Sequence, residues 1–524
     1  MKHRFLGAVI CGLMAFSAIT VCSAAQKGDV DLDGILTASD STLALQYTLA
    51  GDKLGITEEQ IKAADYDADN SVTASDAAMI LQKVLAPDFD EPENPDKPEN
   101  PDTSDGVVVT DFAGLKSAIK NKEKKIYIQG TMQCEEQLAL SDSSAGMEFY
   151  GLTNEDGTGA SLDFTKYRDS SSKSGESNTG IYIKGSGYTF KNLFIENAGD
   201  CGVRIKGSSA GNCVFENCVF RYNLNSGFSV TSGGHDNKLY NCDSYRNGDI
   251  VQKCGNDADG YSVKIGAGGG NYFYNCRAWE NSDDGWDSYD RGDLVPDVTY
   301  IECLTWHNGN PETFTGEYDY EMGYPLDKKL LYIQAVLKQD PDFEAKYNAH
   351  TVTSWPKISY SCIGSTNSYK NLYSYWAGNP NGFKFGSSDS QPSEYRYIEN
   401  CIAFDHYGNL MNQAQAKGFD QNSDKGNCGM HYDMKNILSF NNVENIQMVK
   451  MVADSINGVV WSFDSCIGPD NNEYPDEPSE GMTITEPENK DELRAKVYAY
   501  RDMIYDYVYN DKIPGKQICD VFPK

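Results

Sequence analysis

From about residue 107 to the end, short apolar runs alternate with polar turns. Segments such as "KIYIQG", "GVRIKG" and "KLYNCDSY" alternate apolar and polar positions, and glycine, asparagine and aspartate separate them. This pattern predicts many short β-strands. Helical spacing is scarce here until "KDELRAKVYAYRDMIYDYVYN", which predicts one helix over about 484–511. The simplest role for that helix is to cap an open end of the fold.

The strand-like segments recur in register with a period of about 24 residues. "FENCVFRYN", "LYNCDSYRN" and "FYNCRAWEN" are copies of one phrase. Such a period is typical of a β-solenoid, in which each repeat forms one coil. The fold class predicted for this part is therefore all-β, a parallel β-helix.

Three columns of identical residue types follow from this register. We expect the asparagines to bond to one another along the stack. We expect the cysteines to form an internal ladder of buried free thiols, with disulfides between neighbouring coils as the alternative. The columns are Asn217, Asn241, Asn275 and Asn400 with Glu302 as the exception; Asn223, Asn247, Asn281, Asn308 and Asn442; and Cys218, Cys242, Cys276, Cys303 and Cys401.

A second phrase, glycine followed by an apolar residue and then a variable one, lies between copies of the first. It reads "GVR", "GFS", "GYS", "GWD", "GFK" and "GFD". Strand alternation sends the middle residue into the core and the third residue outward, and neighbouring coils lie about 4.8 Å apart. The third residues are expected to form one exposed column: Arg204, Ser229, Ser262, Asp287, Lys384 and Asp420.

Two consecutive coils, "NDADGYS" and "NSDDGWD", bring four aspartates to this surface. They are Asp259, Asp283, Asp284 and Asp287. Four carboxylates so close cannot all stay ionised without a cation, and ligation by oxygen alone favours calcium. The alternative is a solvated acidic turn.

Lys384 is expected one or two coils from Asp287 in the same outward column. Beside a bound cation its amine is destabilised as a charged group, so the pKa of Lys384 is expected to fall, as a general base requires. The alternative is a lysine that only balances the charge of the aspartates.

A shorter zone, about 27–86, contains two similar segments, "DVDLDGILTASD" and "DYDADNSVTASD". Apolar residues at helical spacing follow each one. Aspartates at positions 1, 3, 5 and 12, with a residue that tolerates left-handed backbone at position 6, predict two calcium loops in a small all-α domain; a generic acidic loop is the alternative. The aspartates are Asp29, Asp31, Asp33 and Asp40 in the first loop, and Asp65, Asp67, Asp69 and Asp76 in the second.

Other features set the domain organisation. Residues 1–25 have a basic start, an apolar run and a small-residue ending, which predicts a signal peptide and a secreted, extracellular protein. Residues 87–106 are rich in Pro, Asp and Glu and predict an extended, solvated linker. The β-helix is expected over 107–524, with an insertion about 310–370. The net charge of −32 argues against a nucleic-acid partner, and no later segment is apolar enough to predict a membrane span.

The two loops closely resemble a type I dockerin, the module that docks onto cohesin domains of a cellulosome scaffold. The aspartate at position 12 fits that family. The resemblance implies that positions 10 and 11 of each loop, Ala38 and Ser39, then Ala74 and Ser75, contact the cohesin.

The phrases "NDADGYSVK", "NSDDGWDSYD" and "NGFKFG" on a β-solenoid resemble the pectate lyases of polysaccharide lyase family 9. The resemblance covers roughly 107–450 and implies a right-handed parallel β-helix. It implies that Asp259, Asp283, Asp284 and Asp287 bind calcium and that Lys384 is the base in a β-elimination on polygalacturonate, which gives 4,5-unsaturated products.

Three basic residues point the same way on nearby coils: Arg204, Lys206 and Lys264. They are expected either to bind other uronate carboxylates or to balance charge. Two other functions stay open. A β-helix glycoside hydrolase would use a pair of carboxylates as acid and base. A non-catalytic solenoid would bind polysaccharide without cleaving it.

Overall fold

The computed structural model describes residues 27–32, 35–66, 71–85, 100–170, 175–249, 255–289, 294–309, 378, 380–386, 392–407, 416–422, 429–468 and 472–523. The chain divides into two compact units, residues 1–97 and 98–524. The predicted signal peptide and the predicted insertion lie outside the described residues. Among the helices that the structure describes, none combines the length and apolarity needed to cross a bilayer.

The first unit is built from helices, as predicted. Helices α1 (Ala38–Ala50), α2 (Glu58–Ala64) and α3 (Ala74–Leu85) surround a small core, and a single 3₁₀ turn, Gly51–Leu54, follows α1. A capping box at Thr37 starts α1, because its side chain accepts a bond from the backbone of the first turn. The core residues are Val30, Ala44, Ala64, Tyr66, Ala77 and Ile80.

The second unit consists mainly of short strands. The first of them are β1 (Val107–Val109), β2 (Lys125–Ile128), β3 (Thr131–Gln133), β4 (Leu138–Leu140), β5 (Glu148–Gly151), β6 (Ala160–Asp163), β7 (Ile181–Ile183), β8 (Thr189–Lys191), β9 (Leu193–Glu196), β10 (Val203–Lys206), β11 (Val214–Glu216), β12 (Val219–Arg221), β13 (Phe228–Thr231) and β14 (Lys238–Tyr240). The rest are β15 (Asp243–Tyr245), β16 (Tyr261–Val263), β17 (Asn271–Tyr274), β18 (Arg277–Trp279), β19 (Trp286–Asp287), β20 (Asp297–Ile301), β21 (Leu304–Trp306), β22 (Phe383–Lys384), β23 (Tyr395–Phe404), β24 (Lys417–Asp420), β25 (His431–Phe440), β26 (Glu444–Gln447) and β27 (Val452–Phe463). The helices of this unit are α4 (Phe112–Asn121), α5 (Thr165–Ser170) and α6 (Lys490–Val508).

These strands stack as the coils of a parallel β-helix. One nine-stranded sheet runs in the order β4-β7-β10-β13-β16-β19-β22-β24-β26. A second, 18-stranded sheet consists of two stacks that become continuous at β23, whose two halves pair with β20 and with β21. Every strand pair among the described residues is parallel and joins neighbouring coils, which confirms the solenoid predicted from the repeat.

The middle residue of each glycine phrase points into the core, as expected. Tyr261 stacks on Trp286 at 5.0 Å between ring centroids, Trp286 stacks on Phe383 at 4.7 Å, and Phe383 stacks on Phe419 at 5.0 Å. All four are buried. The ladder forms because in-register parallel strands place equivalent side chains of consecutive coils next to one another.

The asparagine columns bond along the stack. Asn241 donates from Nδ2 to Oδ1 of Asn217 at 3.1 Å, and Asn275 donates to Asn241 at 2.9 Å. These asparagines have positive φ, between 50° and 53°, which asparagine tolerates better than most residues. The second column continues likewise, except that the buried His406 stands between Asn308 and Asn442: its Nε2 accepts from Nδ2 of Asn308 and its Nδ1 donates to Oδ1 of Asn442.

The predicted cysteine ladder consists of free thiols. Cys218, Cys242, Cys276, Cys303 and Cys401 are all buried and unbridged. Each Sγ lies 3.4–3.5 Å from the carbonyl oxygen two residues earlier in the chain. They fill the core as small apolar groups.

The two long helices of the second unit lie at different places. Helix α4, which the sequence analysis missed, buries Phe112, Leu115 and Ala118 in the core beside β1 and β2, at the first coil. Its signal was Asp111, whose side chain caps it, followed by apolar residues at helical spacing. Helix α4 is therefore the cap of the solenoid's first end.

Helix α6, predicted over about 484–511, spans Lys490–Val508. It does not cap an end, which corrects the expected role. It packs across several coils: Tyr505 accepts a bond from Nε1 of Trp306 at 2.7 Å, and Tyr500 accepts one from Arg277 at 3.0 Å. The solenoid offers a ladder of Tyr245, Trp279 and Trp306 on this side, and burying those rings needs a partner with one apolar face.

The end of the predicted linker, residues 100–106, is largely exposed, but it is bonded to the β-helix unit. Asn100 donates to the carbonyl oxygen of Thr153 at 2.9 Å and accepts from its N–H at 2.6 Å. Tyr127 donates to Asp105 at 2.6 Å. Residues 100–106 thus belong to the β-helix unit, because Asn100 bonds to its backbone and Asp105 bonds to one of its side chains.

Candidate active site

The outward column predicted from the glycine phrases exists in the structure. Arg204 pairs with Ser229, Ser229 with Ser262, Ser262 with Asp287, Asp287 with Lys384, and Lys384 with Asp420, each one coil apart. The column is not exposed, however. Asp287 is 3% exposed and Lys384 is 7% exposed, because their charged groups pair with one another over the sheet rather than extending into solvent.

Three of the predicted metal-binding aspartates converge. Asp259 precedes β16, and Asp283 and Asp284 precede β19 on the next coil. One oxygen of each lies within 4.8 Å of the other two. All three are buried, Asp283 at 4% exposure. Asp287 lies outside this group of three.

The oxygens of Asp287 are held by other partners. Oδ1 accepts from the backbone N–H of Tyr289 at 2.9 Å and lies 3.4 Å from Nζ of Lys384. Oδ2 accepts from Nζ of Lys264 at 2.9 Å. In this arrangement Asp287 links the two lysines of the site.

Each lysine binds a different aspartate of the group of three. Nζ of Lys384 donates to Oδ2 of Asp284 at 2.9 Å. Nζ of Lys264 donates to Oδ2 of Asp259 at 2.7 Å. Lys264 is 8% exposed and is therefore a counter-charge inside the aspartate cluster. This placement favours the charge-balancing alternative for Lys264 over the expectation that it binds substrate.

The buried charges shift one another's pKa. Burial raises the pKa of Asp284 to about 8 and that of Asp259 to about 6, although Lys384 and Lys264 respectively oppose the change. Burial also acts to raise the pKa of Asp287, but the two lysines outweigh it and lower that pKa. These three carboxylates therefore do not ionise alike.

The pKa of Lys384 lies well above its usual value. Burial lowers it, but the surrounding carboxylates, Asp284 first, outweigh burial. The pKa of Lys384 is expected to fall when the aspartates beside it bind a cation. Beside carboxylates without a cation, its pKa rises instead.

The donor set fits calcium. Oδ1 of Asp259 and Oδ1 of Asp284 are enclosed by protein and accept no hydrogen bond among the described residues. Buried polar atoms without a partner are costly, so they indicate a missing partner. Carboxylate oxygens alone, three of them within 4.8 Å, are ligands that suit Ca²⁺.

The sequence analysis missed Ser226, which supports Asp259. Its Oγ donates to Oδ2 of Asp259 at 3.2 Å and accepts from the backbone N–H of the same residue at 3.2 Å. A signal existed, because Ser226 precedes the glycine of its phrase just as Asp259 and Asp284 precede theirs.

Arg204 and Lys206 lie on β10, two and three coils from the aspartates. Arg204 pairs with Asp200 at 2.9 Å, and Lys206 pairs with Glu176 at 2.6 Å. Their expected contact with substrate stays a prediction.

In the first unit, the two loops use their last aspartate in the same way. Asp40 accepts from the N–H groups of Val30 and Thr37, each at 2.8 Å. Asp76 accepts from those of Tyr66 and Thr73, each at 2.7 Å. These bonds fold each loop around its carboxylate.

Oxygens of Asp29, Asp31 and Asp40 lie within 4.8 Å of one another, so the first loop fits a cation. Asp65 is half-buried at the start of the second loop. Asp33, Asp67 and Asp69 lie outside the described residues. The predicted cohesin contacts lie in equivalent first turns: Ala38 and Ser39 are exposed on α1, and Ala74 and Ser75 begin α3.

Comparison with known families agrees with this architecture. Residues 97–319 match the family model described as "Pel9A-like, right handed beta helix region", and residues 27–85 match the dockerin type I domain. These matches support a right-handed parallel β-helix over residues 97–319 of the second unit and a dockerin type I module over residues 27–85 of the first unit. Both resemblances are confirmed. The four aspartates fall inside the matched β-helix region, and Lys384 lies beyond it.

Among curated proteins, pectate lyase L of Dickeya chrysanthemi is 30% identical over 252 residues, 47% of this chain and 40% of that protein. Pectate lyase L of Paenibacillus polymyxa (strain SC2) is 30% identical over 194 residues, 35% of this chain and 42% of that protein. The matches span less than half the length of these relatives. The solved structure of pectate lyase Pel9A is 22% identical, covers 69% of this chain and 72% of that chain, and superposes with a TM-score of 0.43.

Proposed function

We propose that this chain is a secreted, calcium-dependent pectate lyase that cleaves polygalacturonate by β-elimination and is attached through its dockerin to a cohesin-bearing scaffold. One observation carries the proposal: Asp259, Asp283 and Asp284 form a calcium-compatible cluster with two unsatisfied buried oxygens, one coil from Lys384. The pectate lyases among its relatives support the choice of substrate.

Bound calcium would neutralise a substrate carboxylate and so acidify the α-proton at C5. The residues of the chain supply the rest. Neutral Lys384 accepts that proton at Nζ. The C5–H electron pair forms the C4–C5 double bond, the C4–O4 bond breaks, and O4 leaves with its electron pair and takes a proton from water. The product has a 4,5-unsaturated sugar at its new non-reducing end.

Lys384 must lose both a proton and an ion pair before it can act as the base. Its partner in the structure is Oδ2 of Asp284 at 2.9 Å. Asp284 would hold the cation, and its carboxylate would then attract Lys384 less, which would remove much of the cause of the raised pKa of Lys384. Metal binding and base activation would therefore be coupled through Asp284. Lys264, which pairs with Asp259 and Asp287, supplies a second positive charge beside these carboxylates.

The test is ultraviolet absorbance of unsaturated products from polygalacturonate. We expect absorbance with calcium, none with chelator, and a loss of about 10²–10⁴-fold in Lys384→Ala. Lys238→Met is the matched control, because Lys238 is an exposed lysine on the 18-stranded sheet; its activity should equal that of the wild type.

Each other outcome identifies a different function. Saturated reducing ends without absorbance would indicate a hydrolase. Binding of polygalacturonate without any product would indicate a non-catalytic protein. Full activity in Lys384→Ala with loss in chelator would keep the metal site and refute the base.

A further inference from the structure

The nine-stranded sheet continues well beyond the aspartate cluster. From Lys384 the outward column passes through Asp287, Ser262, Ser229 and Arg204 to Tyr182 on β7, five coil steps in all. At about 4.8 Å per coil, Tyr182 lies about 24 Å from the base. A linear polysaccharide that follows this face can therefore contact both places at once.

A cavity of about 340 Å³ opens at Tyr182. Polar side chains dominate its lining: Gln137, Ser141, Glu176, Ser177, Tyr182 and Lys184. None of these residues belongs to the aspartate cluster.

Lys184 differs from the other cations on this face. Lys206 and Arg204 on the next coil each pair with a carboxylate, Glu176 and Asp200. Lys184 is exposed and has no ion pair among the described residues. Its Nζ lies 4.8 Å from the ring centroid of Tyr182, and this cation–π contact holds the ammonium in place without neutralising it.

Glu176, the acidic residue in the cavity wall, is already paired with a cation. Glu176 binds Lys206 at 2.6 Å and accepts from the hydroxyl of Tyr182 at 3.3 Å. It also orients the Tyr182 ring, on whose face Lys184 lies. The net charge available to a ligand is therefore the single positive charge of Lys184.

We propose that Tyr182 and Lys184 form a distal subsite that binds the carboxylate of a uronic acid residue about five sugars away from the cleaved bond. The proposal rests on the proposed function for its choice of polymer. A pyranose unit is about as long as one coil is high, so a trigalacturonate seated at Lys384 does not reach Lys184, whereas a chain of six or more units does.

The test measures binding rather than turnover. In a Lys384→Ala background, which leaves the ligand uncut, the affinities for a long oligogalacturonate of at least six units and for trigalacturonate are measured by calorimetry at constant ionic strength. Adding Lys184→Met should weaken binding of the long ligand about fivefold, the effect of one exposed ion pair, and affect trigalacturonate less. Lys184→Arg should restore the affinity.

Lys238→Met in the same background is the control for general charge, since it removes one exposed positive charge from the other sheet. Equal losses in Lys184→Met and Lys238→Met, or equal losses for long and short ligands, would overturn the subsite. No binding of either ligand would overturn both the subsite and the choice of substrate. Lys184-dependent binding by a chain whose wild type releases no product would refute the lyase and keep the subsite.

Discussion

Lys264 is the residue whose removal tests the charge balance of the site most directly. Its ammonium binds Asp259 at 2.7 Å and Asp287 at 2.9 Å, and it is 8% exposed. Lys264→Met keeps most of the side-chain volume but leaves two buried carboxylates without their counter-charge. Breaking a buried pair in this way costs about 3–5 kcal/mol.

That cost converts into a modest shift of the melting temperature. Unfolding entropy is about 2.1 cal/mol/K per residue, so a unit the size of residues 98–524 loses about 1 °C per kcal/mol. In chelator we expect Lys264→Met to melt about 3–5 °C below the wild type. Because calcium replaces the missing positive charge, its addition should raise the melting temperature of the variant more than that of the wild type.

Scanning calorimetry with chelator and with calcium measures both shifts. Lys191→Met is the matched control, since Lys191 also pairs with a carboxylate on a neighbouring coil, Glu216 at 2.6 Å, but with about a third of its side chain exposed. Such pairs contribute about 0–1 kcal/mol, so its melting temperature should change by about 1 °C or less. A Lys264→Met variant with an unchanged melting temperature in chelator, and with the same calcium response as the wild type, would refute the counter-charge role.

Three further predictions follow from the same structure. Burial raises the pKa of Asp284 to about 8 and that of Asp259 to about 6, so the folded protein in chelator holds protons that the unfolded chain has released; the melting temperature should fall as pH rises from about 5 to about 8, and calcium should flatten that slope. A melting temperature that rises over this range in chelator would contradict it. Trp306→Ala removes a ring that is 1% exposed and stacked on Trp279 at 4.7 Å; it should cost about 3–5 kcal/mol and make α6 susceptible to limited proteolysis, whereas Tyr505→Phe keeps the ring and should lose only the two hydrogen bonds of its hydroxyl, from Trp306 and to Glu280. Asp40→Ala leaves the N–H groups of Val30 and Thr37 without their acceptor; calorimetric titration should show one calcium fewer bound by the dockerin, and an unchanged stoichiometry would exclude Asp40 from the loop site.

The repeat in the sequence was sufficient to predict much of the site. Parallel strands in register place equivalent positions of consecutive coils side by side, so the phrases "GYS", "GWD" and "GFK" predicted that Ser262 and Asp287 are neighbours and that Lys384 lies one or two coils from Asp287; the structure places it one coil away. This held for Lys384 although a long segment separates it from Asp287 in the chain. Periodicity also predicted the thiol ladder and the asparagine columns, because each depends on the repeat alone.

The tertiary structure decided which charges meet and how deeply they are buried. The sequence left Lys264 as either a substrate-binding or a charge-balancing cation, and its position beside Asp259 and Asp287 makes it part of the cluster. Likewise the repeat showed that the column of Asp287 faces away from the core, but not that pairing across coils buries it. The place of α6, across the coils rather than at an end, depended on an aromatic ladder contributed by several coils. Periodicity specifies which residues share a column, whereas ion pairing, burial and helix docking depend on distances between columns and loops, which only the folded chain sets.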